Sequence, residues 1–369
     1  MHGARPPHFQ FRVQKRSVFV TIKRMILVTG AAGFIGSNIV AALNAHGSPV
    51  VAVDVPGAEA KTGNLNGLAV HAFVAKDAAV DWLDAHAADV DGVVHMGACS
   101  DTTETDRQYM MSTNYDYTRR LWDACTRLRK RFVYASSAAT YGDGALGYDD
   151  RADPARLTPL NLYGESKQRF DLWALEQPAS PPQWAGLKFF NVYGPREQHK
   201  ARMASVVYHF FHQIQNTGRA RLFKSNHPDY PDGGQMRDFI YVKDAVAAVL
   251  HFLHAPAGGT GGLFNVGTGV ARSYRDLTLA IFSALQHAPH IDYIPMPEDL
   301  NGRYQYFTQA DTAKLRASGF AHAFHTLEDG IADYVCKHLL HDQKIQQAQQ
   351  AQQARHAPHT SPSRGTASS

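Results

Sequence analysis

The stretch MILVTGAAGFIG, residues 25–36, decides the fold of this 369-residue chain. A short apolar run, Met25–Thr29, leads straight into a glycine-rich loop, and residues 33–46 then have the length and pattern of a helix. Glycines in such a loop allow a tight turn and a close approach of the backbone to a ligand. The first turn of the helix offers unpaired N–H groups and a positive dipole end. The stretch therefore predicts a strand–loop–helix unit that binds the pyrophosphate of a dinucleotide.

The second predicted strand, Val50–Asp54, ends in an acidic residue 18 positions after Gly36. A carboxylate at this point normally binds the ribose 2′-hydroxyl and favours NAD. Lys61, seven residues further on, would instead suit a 2′-phosphate. The two residues conflict, so at this point the choice between NAD and NADP stays open.

Short apolar runs continue to alternate with stretches of helical length as far as about residue 190. The further predicted strands are Gly92–Met96, Arg131–Ala135 and Gly186–Phe190. The further predicted helices are Arg107–Leu128 and Tyr163–Glu176. Strands separated by helices indicate βαβ units. The predicted fold class is therefore α/β, a Rossmann-like doubly wound parallel sheet with a smaller C-terminal substrate domain.

After Asn191 the alternation breaks down, and turn-rich segments appear at 227–234 (HPDYPDGG) and Gly258–Gly262. A final helix is predicted at Thr326–Leu340, before a glutamine-rich segment with no core-forming face. The predicted organisation is a disordered basic extension (1–24), a dinucleotide-binding Rossmann domain (25–190), a mostly substrate-binding domain with segments that return to the sheet (191–340), and a disordered low-complexity tail (341–369).

Composition excludes several classes of protein. With 44% hydrophobic and 19% charged residues the chain can bury a sizeable core, so disorder throughout is excluded. No window approaches the roughly 18 apolar residues of a membrane span. The cysteines (Cys99, Cys125 and Cys336) are scattered, which favours a reduced, cytoplasmic protein. There is no CxxC or HExxH motif and the 20 histidines are dispersed, so no metal site is predicted.

The net charge of +4 hints weakly at an anionic partner such as nucleic acid, but its distribution removes the hint. Met1–Arg24 has six basic and no acidic residues, and Gln343–Ser369 has three basic and none acidic. The residues between these ends therefore carry a net charge of −5. The basic run Arg127–Arg131 (RLRKR) falls where a helix ends, a place that suits cations. No nucleic-acid partner is predicted.

Two motifs supply the chemistry of a dehydrogenase. RFVYASSAATYG, residues 131–142, is an apolar strand that runs into a pair of serines ending at Ser137. LYGESK, residues 162–167, places Tyr163 and Lys167 four positions apart, on one face of a helix. An alcohol gives up a hydride only if its hydroxyl proton leaves too, and a tyrosine with a pKa of about 10 needs a nearby cation to accept that proton. The serine hydroxyl is expected to hydrogen-bond the substrate oxygen.

Together these motifs resemble the extended short-chain dehydrogenase/reductase family, of the NAD-dependent epimerase/dehydratase type, from Met25 to about Leu340. Within it the resemblance is nearest to the enzymes that act on ADP-activated heptoses. It rests on seven blocks in order: HMGACSDTTE (95–104), YMMSTNY (109–115), YASSAATYG (134–142), FNVYGPRE (190–197), HKARMASV (199–206), RDFIYVKD (237–244) and GRYQYFTQAD (302–311).

The resemblance implies an isomerase whose small-molecule substrate is ADP-heptose and which acts in the synthesis of a lipopolysaccharide precursor. Carbon 6 of the heptose would be oxidised transiently and then reduced from its other face. The implied cofactor is NADP, one per subunit, with NAD possible. The implied assembly is a homo-oligomer, a pentamer in the family, with no nucleic-acid or membrane partner.

The resemblance also carries roles over to individual positions. The catalytic set has two proton-handling residues with a supporting lysine and serine: Tyr163, Lys200, Lys167 and Ser137. The cofactor set is Gly30, Gly33, Phe34, Ile35, Gly36, Asp54, Val55, Lys61, Lys76, Met96, Gly97, Ala98, Cys99, Ser100, Asn114, Lys167 and Val192. The substrate set is Ser137, Asn191, Arg202, His209, Phe223, Lys224, Ser225, Asn226, Arg237 and Tyr304. Three of these residues depart from the family pattern: Val55, Arg202 and Lys224.

Other functions on the same fold are weighed against specific residues. A nucleotide-sugar 4-epimerase would favour NAD and a UDP-sugar, and the blocks at 199–206 and 302–311 argue against it. A dehydratase needs carboxylates beside the catalytic hydroxyl, where this chain has Ala138 and Ala139. A non-enzymatic sensor typically lacks an intact tyrosine–lysine pair, which is present here.

Overall fold

The computed structural model describes residues 24–57, 61, 63–256, 261–298 and 305–356. Tyr304, the extension 1–23 and the last residues, 357–369, lie outside this part of the chain. The strands in it are β1 (Met25–Thr29), β2 (Val50–Asp54), β3 (Ala72–Ala75), β4 (Val90–His95), β5 (Arg131–Ser137), β6 (Trp184–Phe189), β7 (Asn191–Tyr193), β8 (Ala220–Phe223), β9 (Met236–Tyr241), β10 (Gly262–Val266), β11 (Ala271–Ser273) and β12 (Ile291–Ile294).

The α-helices in the same residues separate most of the strands over the first half of the chain. They are α1 (Phe34–Ala45), α2 (Ala79–Ala85), α3 (Arg107–Met111), α4 (Tyr117–Arg127), α5 (Leu162–Glu176), α6 (Val206–Thr217), α7 (Val242–His254), α8 (Tyr274–Leu285), α9 (Ala313–Ala317), α10 (Leu327–Tyr334) and α11 (Leu340–His356). The long helix predicted from residue 107 onward is divided by a π-helical turn, Ser112–Asp116, between α3 and α4.

The central sheet confirms the predicted fold class. Seven parallel strands lie in the order β3-β2-β1-β4-β5-β6-β10, and the first six have the order of a dinucleotide-binding fold. In this sheet Leu27 pairs with both Val51 and Val93. Val, Ile and Leu fill these strands because helices cover both faces of a parallel sheet.

Alternate residues of β1 enter two separate cores. Ile26 and Val28 belong to the core on the side of α1 and α7, whereas Leu27 belongs to the core on the side of α4 and α5. In the second core the ring of Trp122 lies 4.9 Å from that of Trp184, centroid to centroid. Both cores hold the strand ends rigidly, which is what a site built on those ends requires.

The C-terminal part forms smaller sheets beside the carboxyl edge of the large one. β7, β9 and β11 make a three-stranded sheet, and β8 pairs with β12. β10 lies in the large sheet, parallel to β6. The turn-rich stretch 227–234 connects β8 to β9, and its His227 and Tyr230 contact the ring of Tyr306. The domain boundary at residue 190 stays a prediction.

The glutamine-rich segment differs from the prediction of a disordered tail. A π-helical turn, Val335–Leu339, joins α10 to α11, so the helix continues to His356. Glutamine and alanine are good helix formers, and the helix extends one already anchored by buried Tyr334 and Val335. In the described residues none of the helices combines the length and apolar character needed to cross a membrane.

Candidate active site

A cavity of about 520 Å³ opens at the carboxyl ends of the central strands, where folds of this topology bind ligands. All four predicted catalytic residues line it. The predicted cofactor residues that line it are Gly30, Gly33, Phe34, Ile35, Gly36, Asp54, Val55, Lys61, Lys76, Met96, Gly97, Ala98, Cys99, Ser100, Lys167 and Val192. Residues spread from the first strand to position 200 are thus brought to one place.

Two glycines of the loop are required by its geometry. Gly30 has a φ of +63°, and a Cβ atom there would lie 2.7 Å from the amide nitrogen of Gly97. A Cβ atom on Gly36 would overlap the carbonyl oxygen of Gly30. The N–H of Gly33 donates to that same carbonyl at 2.9 Å. The start of α1 is therefore packed directly on the loop.

The start of α1 fits a diphosphate. Gly33 precedes the helix, and in the described chain no side chain caps this end, nor is there an acidic residue in its first turn. The first N–H groups of a helix have no partner within it. Together with the dipole of α1 they favour a bound anion, and Phe34 and Ile35 of this turn line the cavity.

Asp54 is buried at the end of β2 and is bound to the loop. Its Oδ2 accepts a hydrogen bond from the N–H of Ala32 at 2.9 Å, and its Oδ1 accepts one from Val55 at 2.8 Å. The ammonium of Lys61 lies 3.4 Å from Oδ1. Lys61 and Lys76 add two cations to the cavity lining beside this carboxylate.

Asn114 is the one member of the predicted cofactor set that lies behind the cavity lining. Its Oδ1 accepts from the N–H of Cys99 at 2.8 Å, and its amide nitrogen donates to the Cys99 carbonyl at 2.9 Å. The amide nitrogen also lies 3.0 Å from the hydroxyl of Ser166 on α5. Asn114 therefore fixes the backbone of a lining segment against the helix that carries Tyr163.

The predicted serine, tyrosine and lysine meet where β5 and α5 come together. Asn161 caps α5 by accepting from the N–H of Gly164 at 2.9 Å, and the helix then carries Tyr163 and Lys167 on one face. The Tyr163 hydroxyl is hydrogen-bonded to Ser137 at the end of β5. The ammonium of Lys167 lies 5.9 Å from the centroid of the Tyr163 ring.

The pKa shifts of Tyr163 and Lys167 differ from the expectation that the lysine lowers the pKa of the tyrosine. Burial raises the pKa of Tyr163, and the hydrogen bond from Ser137 opposes that effect. Burial also lowers the pKa of Lys167 to about 8, against an opposing effect of Asp171. Lys167 therefore stays mostly protonated at neutral pH and loses its charge as the pH rises through about 8. The pKa of Tyr163 is shifted by burial, Ser137, Cys99 and Asp171, and Lys167 does not contribute to this shift.

Behind the Ser137 end of β5 lies a buried polar network. Asp171, one turn beyond Lys167 on α5, accepts hydrogen bonds from the hydroxyls of Tyr134 at 2.9 Å and Ser136 at 2.7 Å. Lys188 of β6 lies 2.8 Å from the same carboxylate and 2.7 Å from the hydroxyl of Thr140. The network ties α5 to β5 and β6 directly beside Ser137.

Lys200 reaches the cavity from a different element, the 3₁₀ turn Gln198–Met203. Its ammonium lies 5.6 Å from the centroid of the Phe34 ring. Burial lowers the pKa of Lys200, and Glu197 opposes that effect. Ala201 has a φ of +46°, so the turn is strained at the residue that follows the lysine.

The predicted substrate residues, apart from Ser137, do not line this cavity. Those inside the described chain lie on β7, β8, β9, α6 or the segments beside them: Asn191, Arg202, His209, Phe223, Lys224, Ser225, Asn226 and Arg237. Arg202 contacts the cavity wall, since its guanidinium lies 2.6 Å from Asp101, a lining residue, and 2.7 Å from the hydroxyl of Thr103. Tyr304 lies outside the described residues.

The structure adds lining residues that the sequence analysis did not assign. Tyr109, Thr113 and Tyr117 line the cavity, and their spacing of four residues is the signal that would have placed them on one helix face. His199 also lines it and is hydrogen-bonded through Nδ1 to Asn64 at 3.0 Å. Asp101 lines the cavity as well, directly after Ser100 of the predicted cofactor set.

The parallel sheet, the anion-binding glycine loop and the serine–tyrosine–lysine group define a nicotinamide-dependent enzyme that handles a hydride and a proton. More particularly, the chain belongs to the NAD dependent epimerase/dehydratase family, whose sequence profile matches residues 26–267.

Individual relatives cover most of the chain. A protein of Nitratidesulfovibrio vulgaris named ADP-L-glycero-D-manno-heptose-6-epimerase is 50% identical over 320 residues, 85% of this chain and 98% of the relative. A protein of Fusobacterium nucleatum with the same name is 46% identical over 327 residues, with the same coverage. The crystal structure of the Helicobacter pylori protein of that name matches with a TM-score of 0.72 at 28% identity, over 85% of this chain and 96% of that one.

Proposed function

We propose that the protein is an ADP-L-glycero-D-manno-heptose 6-epimerase, which interconverts ADP-D-glycero-β-D-manno-heptose and ADP-L-glycero-β-D-manno-heptose for lipopolysaccharide inner-core precursor synthesis. The observation that carries the proposal is that Tyr163 and Lys200, on two different elements, line one cavity with the dinucleotide loop. Relatives at 46% and 50% identity with this name support the choice of substrate.

Inversion at carbon 6 requires that the hydroxyl proton be handled in two substrate orientations, and Tyr163 and Lys200 provide one residue for each. The bound cofactor supplies a reversible hydride acceptor, so the reaction has no net change of oxidation state. Tyr163 accepts the proton of the carbon 6 hydroxyl in one substrate orientation, and Ser137 hydrogen-bonds the same oxygen. Lys200 handles the proton in the other orientation, and burial, which lowers its pKa, favours the neutral amine that can act as a base.

We infer that the cofactor is NADP. Lys61 and Lys76 stand in the lining with Asp54, and Lys61 faces the carboxylate that would otherwise repel a 2′-phosphate. Lys61→Ala is expected to weaken NADP binding about tenfold or more and NAD binding much less, in fluorescence titrations with the reduced forms. Equal losses for both cofactors would contradict this assignment.

The direct test of the function is conversion of its substrate. The purified full-length protein, loaded with NADP, is incubated with ADP-D-glycero-β-D-manno-heptose, and the two epimers are resolved by chromatography. Conversion towards an equilibrium mixture is expected, and UDP-glucose under the same conditions should stay unchanged. Absence of conversion by folded, cofactor-loaded protein would refute the proposal, and turnover of UDP-glucose would favour a 4-epimerase.

The assembly and the cellular location are part of the same proposal. A homo-oligomer follows from the resemblance, and light scattering after size exclusion would measure it. The cytoplasm is proposed because all three cysteines are free thiols in the structure.

A further inference from the structure

Away from the active site, three potential metal ligands meet where α7 begins. Asp244 lies in the first turn of α7, and His322 and His325 lie in the segment between α9 and α10. The carboxylate, the Nε2 atom of His322 and the Nδ1 atom of His325 all lie within 4.8 Å of one another. None of these residues lines the cavity described above.

The carboxylate is fully buried and held in one orientation. The Oδ2 atom of Asp244 accepts a hydrogen bond from the backbone N–H of His325 at 2.9 Å. Its Oδ1 atom lies 2.7 Å from the imidazole nitrogen of His322 and 2.7 Å from that of His325. The Nε2 atom of His322, the Nδ1 atom of His325 and the Oδ1 atom of Asp244 are therefore three potential ligand atoms close together.

The surroundings complete a small site with one open side. The His325 ring lies 5.3 Å from that of Tyr241, and the His322 ring lies 5.7 Å from that of Phe320, centroid to centroid. Aromatic walls exclude water from these sides, whereas the two histidines are about one-third exposed. Solvent can therefore supply a fourth ligand.

We infer that Asp244, His322 and His325 bind a divalent transition-metal ion, Zn²⁺ in the first place. Two imidazoles and one carboxylate are a ligand set that suits Zn²⁺, Co²⁺ or Ni²⁺, whereas Mg²⁺ and Ca²⁺ prefer oxygen alone. Bonds of about 2.0–2.2 Å need ligand separations of roughly 3.4 Å in a tetrahedral site. The two 2.7 Å contacts would lengthen by less than about 1 Å, which small side-chain rotations allow.

The bound ion joins two parts of the chain that are 78 and 81 residues apart. It would fasten the segment before α10 to the first turn of α7, the helix that packs beside α1. An ion that binds only the folded chain stabilises that chain. The site is therefore structural, and the catalytic rate is expected to be unaffected by the loss of the two histidines.

The test uses the full-length protein after removal of metals with a chelator. Calorimetric titration with Zn²⁺ is expected to show one equivalent bound with micromolar or tighter affinity, and Co²⁺ to give visible absorption of a four-coordinate site. His322→Gln/His325→Gln should lose this equivalent, with affinity reduced at least a hundredfold. These side chains are partly exposed, so the variant should fold. His251→Gln is the matched control, because His251 is a nearby histidine that bonds to Ser318 outside the cluster.

Thermal unfolding supplies a second measurement. Zn²⁺ should raise the melting temperature of the wild type and of His251→Gln, but not that of the double variant. Absence of a stoichiometric equivalent in the wild type would overturn the inference, and the cluster would then be a hydrogen-bonded pair of histidines only. Equal binding by wild type and double variant would overturn it too, since other histidines would then hold the ion.

Discussion

Replacing Lys188 by methionine tests the buried network behind the Ser137 end of β5. Lys188 is 1% exposed and Asp171 is 0% exposed, and their charged groups lie 2.8 Å apart. Methionine keeps much of the length of the side chain but removes the charge and the hydrogen bonds. Asp171 would then be a buried carboxylate with two hydroxyl donors and no cation in contact, since Lys167, one turn away, acts on it only at longer range.

The expected loss follows from this burial. Removing one partner of a buried ion pair costs about 3–5 kcal/mol, because the other charge is left uncompensated. Adding Asp171→Asn removes that charge and keeps an acceptor oxygen for Tyr134 or Ser136. The free energy of unfolding of the double variant Lys188→Met/Asp171→Asn should therefore fall by roughly 2 kcal/mol less than the sum of the losses in the two single variants.

The assay is urea unfolding followed by circular dichroism, at one protein concentration for all variants. Arg127→Met is the control, since Arg127 forms an ion pair with Asp84 at 2.8 Å on the surface, where about 1 kcal/mol or less is expected. A loss below about 1 kcal/mol for Lys188→Met, or strictly additive losses in the double variant, would refute the reasoning.

Three further predictions concern the active site. Tyr163→Phe should keep fold and cofactor but lose about 10²–10⁴-fold in turnover, whereas Tyr208→Phe, outside the cavity, should stay near wild type in the same epimer assay. Because the pKa of Lys167 is lowered to about 8, its cation is lost as pH rises through that value, so turnover should fall above about pH 8. Lys167→Arg, always charged, should lose this falling limb, and a limb that persists unchanged would contradict the assignment. Gly36→Ala should abolish cofactor binding in a fluorescence titration because its Cβ overlaps the loop, whereas Gly63→Ala, with open space around it, should bind normally.

Prediction from sequence succeeded where the pattern is local. The glycine loop, the strands from Met25 to Asp54 and the helix that begins near Tyr163 follow from apolar periodicity and from turn chemistry, and the parallel sheet follows from their alternation. The catalytic and cofactor positions carried over by resemblance line the cavity with the exception of Asn114, whereas the described substrate positions other than Ser137 lie outside the lining. The glutamine-rich segment shows the opposite case, because helix propensity extended an anchored helix where low complexity had indicated disorder.

By itself, then, the sequence determined the fold class, the dinucleotide loop and the serine–tyrosine–lysine group, because each depends on residues at fixed short spacing. The tertiary structure alone decided which distant side chains meet. It brought Lys188 into a buried ion pair with Asp171. It also brought His322 and His325 to Asp244, although the dispersed histidines of the sequence had predicted no metal site. It also set the pKa of Lys167, since burial depends on everything packed around a group rather than on its neighbours in the chain.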